Sequence, residues 1–348
     1  MRLRFVTATP LDIRRGSGTY VGISVLARAL EGLGHRVEIE TPKVQLPMFT
    51  AQRMVFNRGL KRSDHDLTIG FDMDGYEIAG GMRHVAALKG VIADEVRFER
   101  GATRLTMSVQ ARCERQHVER AARVICTSRY SAERAREFYG LRDLPTIVPE
   151  PIDLEEWRGA LGEHTLRPDR FTVLFVGRFY RRKRVDVLLR AAALLEKRIP
   201  DVAVRIVGNG PCDDKWRALS RRLLLAGTVT WLGDVSRAEL AREYAGASVF
   251  CQPSVQEGFG IVLLEAMAAG KAIVAAKAGA IPEVAPHATL VQPDSPEALA
   301  EGIERLYASS EERQKQARMS TAWVEQFEAA RVAQQFLRAA VGVDVRAV

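Results

Sequence analysis

Cysteine is scarce in this chain and scattered. Cys113, Cys126, Cys212 and Cys251 are the four present, and none stands in C-x-x-C spacing. That argues against a structural zinc site and against a disulfide framework, and it fits a reducing compartment. No run approaches the ~18 consecutive apolar residues of a membrane span. The opening MRLRFVTATP lacks the apolar core of a secretory signal. A cytoplasmic location is expected. RNP-like, zinc-finger and helix-turn-helix signatures are missing, so nucleic acid is not an expected partner. No Asp-x-Asp ends a strand in the second half, and Asp72-Met73-Asp74 in the first half reads as a turn. No metal site is expected.

What is present describes an ordinary globular protein. At 348 residues, with 47% hydrophobic and 27% charged residues, the chain is long enough for two domains with full cores. Fifty-one Lys and Arg against 43 Asp and Glu give a formal net charge of +8. An excess of that sign suits polyanionic partners, such as a nucleoside diphosphate or an anionic lipid surface. The arginine-rich stretch from Arg97 to Arg123 reads either as a solvated helix face or as a peripheral contact with an anionic membrane.

The spacing predicts strands alternating with helices, which implies parallel sheets covered on both faces. Strand patterns run over Leu3–Ala8, His35–Glu40, Leu67–Gly70, Val85–Leu88, Val124–Thr127 and Thr146–Val148. Helices are expected over Val21–Leu33, Ala111–Ala122 and Ser131–Tyr139, the last capped by Ser128 or Ser131. Polar Arg158–Asp169 reads as a linker. A second series of strands then ends in Gly177-Arg178, Gly208-Asn209-Gly210, Asp234-Val235 and a loop beginning at Ser254. Each unit carries its functional-looking residues after the strand, where open α/β sheets bind ligands.

The stretch from Ser254 to Glu283, SVQEGFGIVLLEAMAAGKAIVAAKAGAIPE, organises the rest. A turn at Glu257-Gly258-Phe259-Gly260 feeds a helix, and backbone N–H groups at such a start make an anion site. Glu257 and Glu265 flank it, and carboxylates accept charge-assisted hydrogen bonds from hydroxyls. Phosphate on the amides and hydroxyls on the glutamates would describe a nucleotide-sugar. The plainer alternative is a strand-loop-helix whose glycines serve close packing. A rival lies upstream, where Gly16-Ser17-Gly18 with Glu38 twenty residues on looks like a dinucleotide fingerprint of an NAD(P)-dependent oxidoreductase. Its third glycine is one residue late, and Pro10–Arg15 interpose a loop where a tight turn is needed.

EGFGIVLLE, from Glu257 to Glu265, resembles the E-x7-E motif of retaining glycosyltransferases of family 4. VICTSRYSAERAREFYG and VPEPIDLEEW resemble the end of that family's first domain, with Pro149-Glu150-Pro151 where Pro-Asn-Gly is commoner. The resemblance covers nearly the whole chain and implies an α/β protein of GT-B fold. Two Rossmann-like domains, 1–160 on the acceptor side and 161–326 on the donor side, would face each other across a cleft. A last helix within 327–348, over Phe327–Ala340, would cross back onto the first. The implied activity is transfer of a sugar from a nucleotide-diphosphate sugar to a glycan, lipid-linked or small-molecule acceptor, with no metal or other cofactor. By the resemblance, Arg178 and Lys183 hold the leaving diphosphate, and Glu257 faces the donor sugar. Glu265 takes the ribose hydroxyls, and the amides of Gly258, Phe259, Gly260 and Ile261 lie near sugar and phosphate. Gly16, Gly18, Gly208 and Val235 would also line the donor. The neighbouring Arg181, Arg182 and Arg184 read as a solvated basic turn.

One departure stands out. Many members of the resembled family carry a His after a first-domain strand, where this chain has Lys89; His84, at the strand start, reads as a surface residue. Lys89 is either a solvent-facing loop lysine or a cation serving donor or acceptor, and it joins Arg178, Lys183 and Glu257 as a candidate catalytic residue. A non-catalytic nucleotide-sugar-binding or assembly protein of the same fold is the alternative from another class.

Overall fold

The computed structural model describes residues 1–9, 18–162 and 170–342. Gly16 and the rest of its glycine loop up to Ser17 lie outside the described residues. The described residues form two compact units, one of residues 1–9, 19–151 and 329–342, the other of 18, 152–162 and 170–328.

In the first unit β1 (Arg2–Val6), α1 (Gly18–Gly32), β2 (Arg36–Glu40), α2 (Phe49–Gly59), β3 (Leu67–Phe71) and β4 (His84–Leu88) come in succession. They are followed by α3 (Ile92–Glu95), α4 (Gly101–Arg120), β5 (Arg123–Cys126), α5 (Arg129–Tyr139) and β6 (Thr146–Ile147). Six parallel strands make one sheet in the order β2-β1-β3-β4-β5-β6. Strands buried on both faces read as continuous apolar runs rather than alternating ones, and β3 and β4 are buried at every position. Gly140 ends α5 in the left-handed conformation, and Ser128 caps its start by accepting from the Ser131 N–H.

The second unit opens with α6 (Leu154–Gly162) and β7 (Thr172–Val176), then α7 (Val185–Leu195), β8 (Ala203–Val207), α8 (Asp213–Arg222) and β9 (Val229–Gly233). After these come α9 (Arg237–Gly246), β10 (Val249–Gln252), α10 (Ile261–Ala268), β11 (Ala272–Ala276) and α11 (Ile281–Val284). The unit closes with β12 (Thr289–Val291), α12 (Pro296–Ala308) and α13 (Ser310–Val324). Its strand order, β12-β11-β10-β7-β8-β9, is the doubly wound one that reverses direction between its first and fourth strands, β7 and β10. The loops leaving those two strands are therefore where this architecture places a ligand.

Two segments differ from the sequence reading. Residues 158–162, read as linker, continue α6, because Leu154 and Trp157 give that helix a buried face in the second unit. Helix α4 begins at Gly101, ten residues before the expected Ala111, since its first half is exposed or only half-buried apart from Gln110 and shows little apolar period. The final helix, α14 (Ala329–Val341), belongs to the first unit. Val332, Ala333, Phe336, Ala339 and Ala340 on one face join Leu3, Phe5, Leu26 and Leu30 in its core.

Phe336 is 4% exposed and meets Phe5 edge-on at 6.4 Å between centroids. Phe336→Ala should lower unfolding stability by about 3–5 kcal/mol, as truncation of a buried aromatic does. Chemical denaturation checks this, and a loss under about 1 kcal/mol would show that α14 is not a core element.

Candidate functional site

The second unit gathers most of the expected residues around its switch point. Strand β7 runs into Gly177-Arg178 and a single turn of 3₁₀ helix, Arg181–Lys183, and β10 runs into Ser254–Glu257. The two loops are joined through the backbone, Val255 N–H donating to the Arg182 carbonyl at 2.9 Å. Across them the Lys183 ammonium donates to both oxygens of Glu257, at 2.6 and 2.7 Å. The Gln252 amide also donates to Glu257, and the Ser254 hydroxyl adds a further hydrogen bond. Glu257 is only 3% exposed. Burial pushes its carboxyl up, but the charges of Lys183 and Arg182 outweigh that and hold it below the usual range.

Beside this pair, polar groups cross the carboxyl ends of three adjacent strands. Arg178 Nη1 donates to Asn209 Oδ1, and Asn209 Nδ2 donates to Asp234 Oδ2. The strand ends must come close for this to form. Gly208 has φ +117°, and a Cβ there would stand 2.1 Å from the Gly177 carbonyl oxygen, so only glycine fits. Val235 lies in the loop after β9. In the rest of the basic turn, Arg182 sits over the Tyr180 ring, and Arg184 makes a surface pair with Asp294 at 2.7 Å.

Gly260, in the left-handed conformation, forms the N-cap of α10, whose first residue is Ile261. Phe259 is buried edge-on against Phe327 at 5.8 Å, so its side chain serves packing and only its backbone is available to a ligand. The Gly279 turn backs Glu257, where a Cβ would lie 2.6 Å from the Glu257 nitrogen. One helical turn into α10, Glu265 is 6% exposed and takes a hydrogen bond from the Tyr244 hydroxyl at 3.1 Å. Burial raises the Glu265 carboxyl, and Arg237 and Tyr244 offset that only in part.

Lys89 lies apart from these, in the first unit after β4. Its ammonium meets the Glu150 carboxylate at 2.7 Å, with the two side chains 9% and 6% exposed, and sits over the Phe71 ring. It is thus neither solvent-facing nor unpaired. Its backbone N–H donates to Asp72, whose carboxyl burial lifts to about 6. The carboxylate of Glu150 comes so near α1 that a Cβ on Gly22 would fall 2.2 Å from Glu150 Oε2.

His84 is not a surface residue. It is 3% exposed, because β4 is an interior strand covered by α4, and its Nε2 lies 2.8 Å from Nε2 of His117. His117 Nδ1 faces the Asp72 carbonyl and must donate to it, so the His84 Nε2–H donates to His117. Burial lowers His84 to about 3 and His117 to about 4, so both are neutral at pH 7. The Asp72–Asp74 turn is equally internal, with Asp74 fully buried between Arg53, Asn57 and the Ala8 N–H. Glu150, Tyr244, Asn209 and Gln252 escaped the sequence reading as site residues. Glu150 left a signal in its departure from Pro-Asn-Gly, and Asn209 in its place between the glycines that follow β8.

Removing one partner of a buried ion pair leaves an uncompensated charge, at a cost of about 3–5 kcal/mol. Lys183→Met should therefore destabilise the protein by about that much at pH 7. Because Lys183 depresses Glu257 in the folded state, its contribution is present above the unfolded carboxyl value and fades as pH falls through the folded one. The gap between mutant and wild type should hold from pH 7 down to the ordinary carboxyl range and narrow only as pH falls below it, toward the depressed value of Glu257. Melting temperatures across that range check it, and a gap that does not depend on pH would contradict the pairing.

Residues 160–323 match the family model for glycosyl transferases group 1. A D-inositol 3-phosphate glycosyltransferase of Pseudarthrobacter chlorophenolicus is 35% identical over 178 residues, 48% of this chain and 42% of that one. The chain spans about half the length of the curated relatives it matches. Among solved structures, sucrose-phosphate synthase of Thermosynechococcus elongatus superposes with a TM-score of 0.80 at 21% identity, over 97% of this chain and 98% of that one. Anabaena HepE in complex with UDP-glucose does so with a TM-score of 0.71 at 20% identity, over 97% of this chain and 98% of that one. At such identities the likeness speaks to the fold, and the fold of this chain is GT-B, built from two Rossmann-like units.

Proposed function

We propose that this chain is a retaining, metal-independent glycosyltransferase of family 4 that moves a sugar from a nucleoside-diphosphate sugar to an acceptor hydroxyl. The observation that carries the reading is the arrangement of Arg178, Lys183 and Glu257 on the two loops that leave the switch-point strands, ahead of the N-terminus of α10. A departing diphosphate gains negative charge, and cations fixed beside it stabilise the transition state more than the ground state. The group 1 match over residues 160–323 and the GT-B fold support the same reading. UDP-glucose in HepE makes a uridine nucleotide-sugar a reasonable first donor to assay.

In this mechanism the bond between the anomeric carbon and the diphosphate oxygen breaks while the acceptor oxygen bonds to the same face of that carbon. The acceptor proton passes to the departing phosphate oxygen. Arg178, Lys183 and the dipole of α10 neutralise the leaving group, so no metal is required for charge balance. Glu257, relieved of one Lys183 contact, accepts from sugar hydroxyls, and Glu265 accepts from the ribose. Lys89 serves the acceptor from the first unit, held by Glu150 as a compact charge. Acceptor identity, contact with a membrane surface and a cytoplasmic location belong to this proposal as well. Among the described residues no helix is long and apolar enough to cross a membrane.

Donor turnover with UDP-, GDP- and ADP-sugars tests the proposal. Arg178→Ala should slow turnover by about 10²–10³-fold, the usual cost of one preorganised charge-stabilising group. Wild-type activity should survive EDTA. Full turnover in a folded Arg178→Ala protein, or activity lost to chelator and restored by Mg²⁺ or Mn²⁺, would contradict it.

A further inference from the structure

Glu265 is held from behind by residues that no ligand can reach. Its backbone carbonyl accepts from Trp157 Nε1 at 3.0 Å, and its Oε2 lies 3.1 Å from the Tyr244 hydroxyl. Tyr244 and Trp157 expose none of their surface. Their rings meet edge-on at 5.5 Å, and Tyr244 stacks on Phe250 at 5.7 Å, so the phenol has no freedom to swing. Arg237 lies 4.8 Å above the Trp157 ring and is paired with Glu156 at 2.9 Å.

The phenol carries one hydrogen and faces two acceptors, Glu265 Oε2 and the Val262 carbonyl at 3.2 Å. A hydrogen bond to a carboxylate is the stronger of the two. Oε1 of Glu265 accepts no hydrogen bond from the described residues. One oxygen is therefore tied down and the other is left for a hydroxyl group.

We propose that Tyr244 is a positioning residue for nucleotide recognition: its hydroxyl fixes Oε2 of Glu265 so that Oε1 is presented to the ribose hydroxyls of the donor. The inference rests on the donor reading above and extends it to a side chain that touches no substrate. Tyr244 preorganises the carboxylate, so its loss weakens the ribose contact without affecting contacts to phosphate or base.

The test is calorimetric titration of the full chain with UDP, GDP and ADP, each beside its 2′,3′-dideoxy form. Wild type, Tyr244→Phe, Glu265→Gln and the double mutant are compared. Wild type should prefer the ribose form by about tenfold or more, since a hydrogen bond to a charged group is of that size. Tyr244→Phe should erase most of that preference while binding the dideoxy form as wild type does, and should add nothing in the Glu265→Gln background. A Tyr244→Phe protein that melts lower but keeps the full preference would reduce Tyr244 to a tether between α9 and α10, and the inference fails. If wild type shows no preference or binds none of the six, the ribose role of Glu265 fails first and the inference falls with it. Should Tyr244→Phe not fold, 3-fluorotyrosine at position 244 keeps the hydroxyl as a stronger donor. The ribose preference must then change, and an unchanged preference overturns the proposal.

Discussion

The second unit depends on one ion pair. Lys183 and Glu257 come from loops that leave β7 and β10, seventy-four residues apart in sequence, and they meet at 2.6 Å with little exposure of either. Removing two charges from water costs about as much as their attraction returns, so a buried pair is weak evidence of a stabilising purpose. Its position is more informative than its energy. It bridges the point where the sheet reverses order, and Gln252, Ser254 and the Gly279 turn all serve to hold Glu257 there. A site so satisfied internally is preorganised, and an incoming anion need only share the lysine rather than order it.

The first unit follows the same economy with different groups. Its interior carries Arg53, Asp74, Asn57, Asp72, His117, His84 and Glu114, each tied into hydrogen bonds. Neutral histidines and hydrogen-bonded carboxylates, of which only Glu114 keeps a buried oxygen without a partner among the described residues, line β3 and β4, and Lys89 with Glu150 follows them. Lys89 is thus held by a carboxylate, a ring and a helix that must carry Gly22.

Much of this was legible in the sequence, for identifiable reasons. Parallel strands buried on both faces leave apolar runs, and glycine turns after them mark the ligand ends, so the two doubly wound sheets and the Glu257–Glu265 segment could be read directly. Pairing could not. Nothing local in Lys183 or Glu257 tells that they meet, and nothing in Tyr244 points to Glu265, since sheet topology alone brings them together. His84 was misread because a histidine at a strand start resembles a solvated end, whereas covering by α4 depends on a helix whose first half has weak periodicity. For Lys89 the solvent-facing and the functional readings stayed open, because its partner, Glu150, lies sixty-one residues away.

The central claim is that the residues around β7 and β10 are built for a diphosphate. The most direct measurement is calorimetric affinity of the wild-type chain for a nucleoside, its monophosphate and its diphosphate, with the same base throughout. The account predicts that affinity climbs at each step and most steeply at the second phosphate, where Arg178, Lys183 and the start of α10 would all engage. Equal affinity for monophosphate and diphosphate would contradict it.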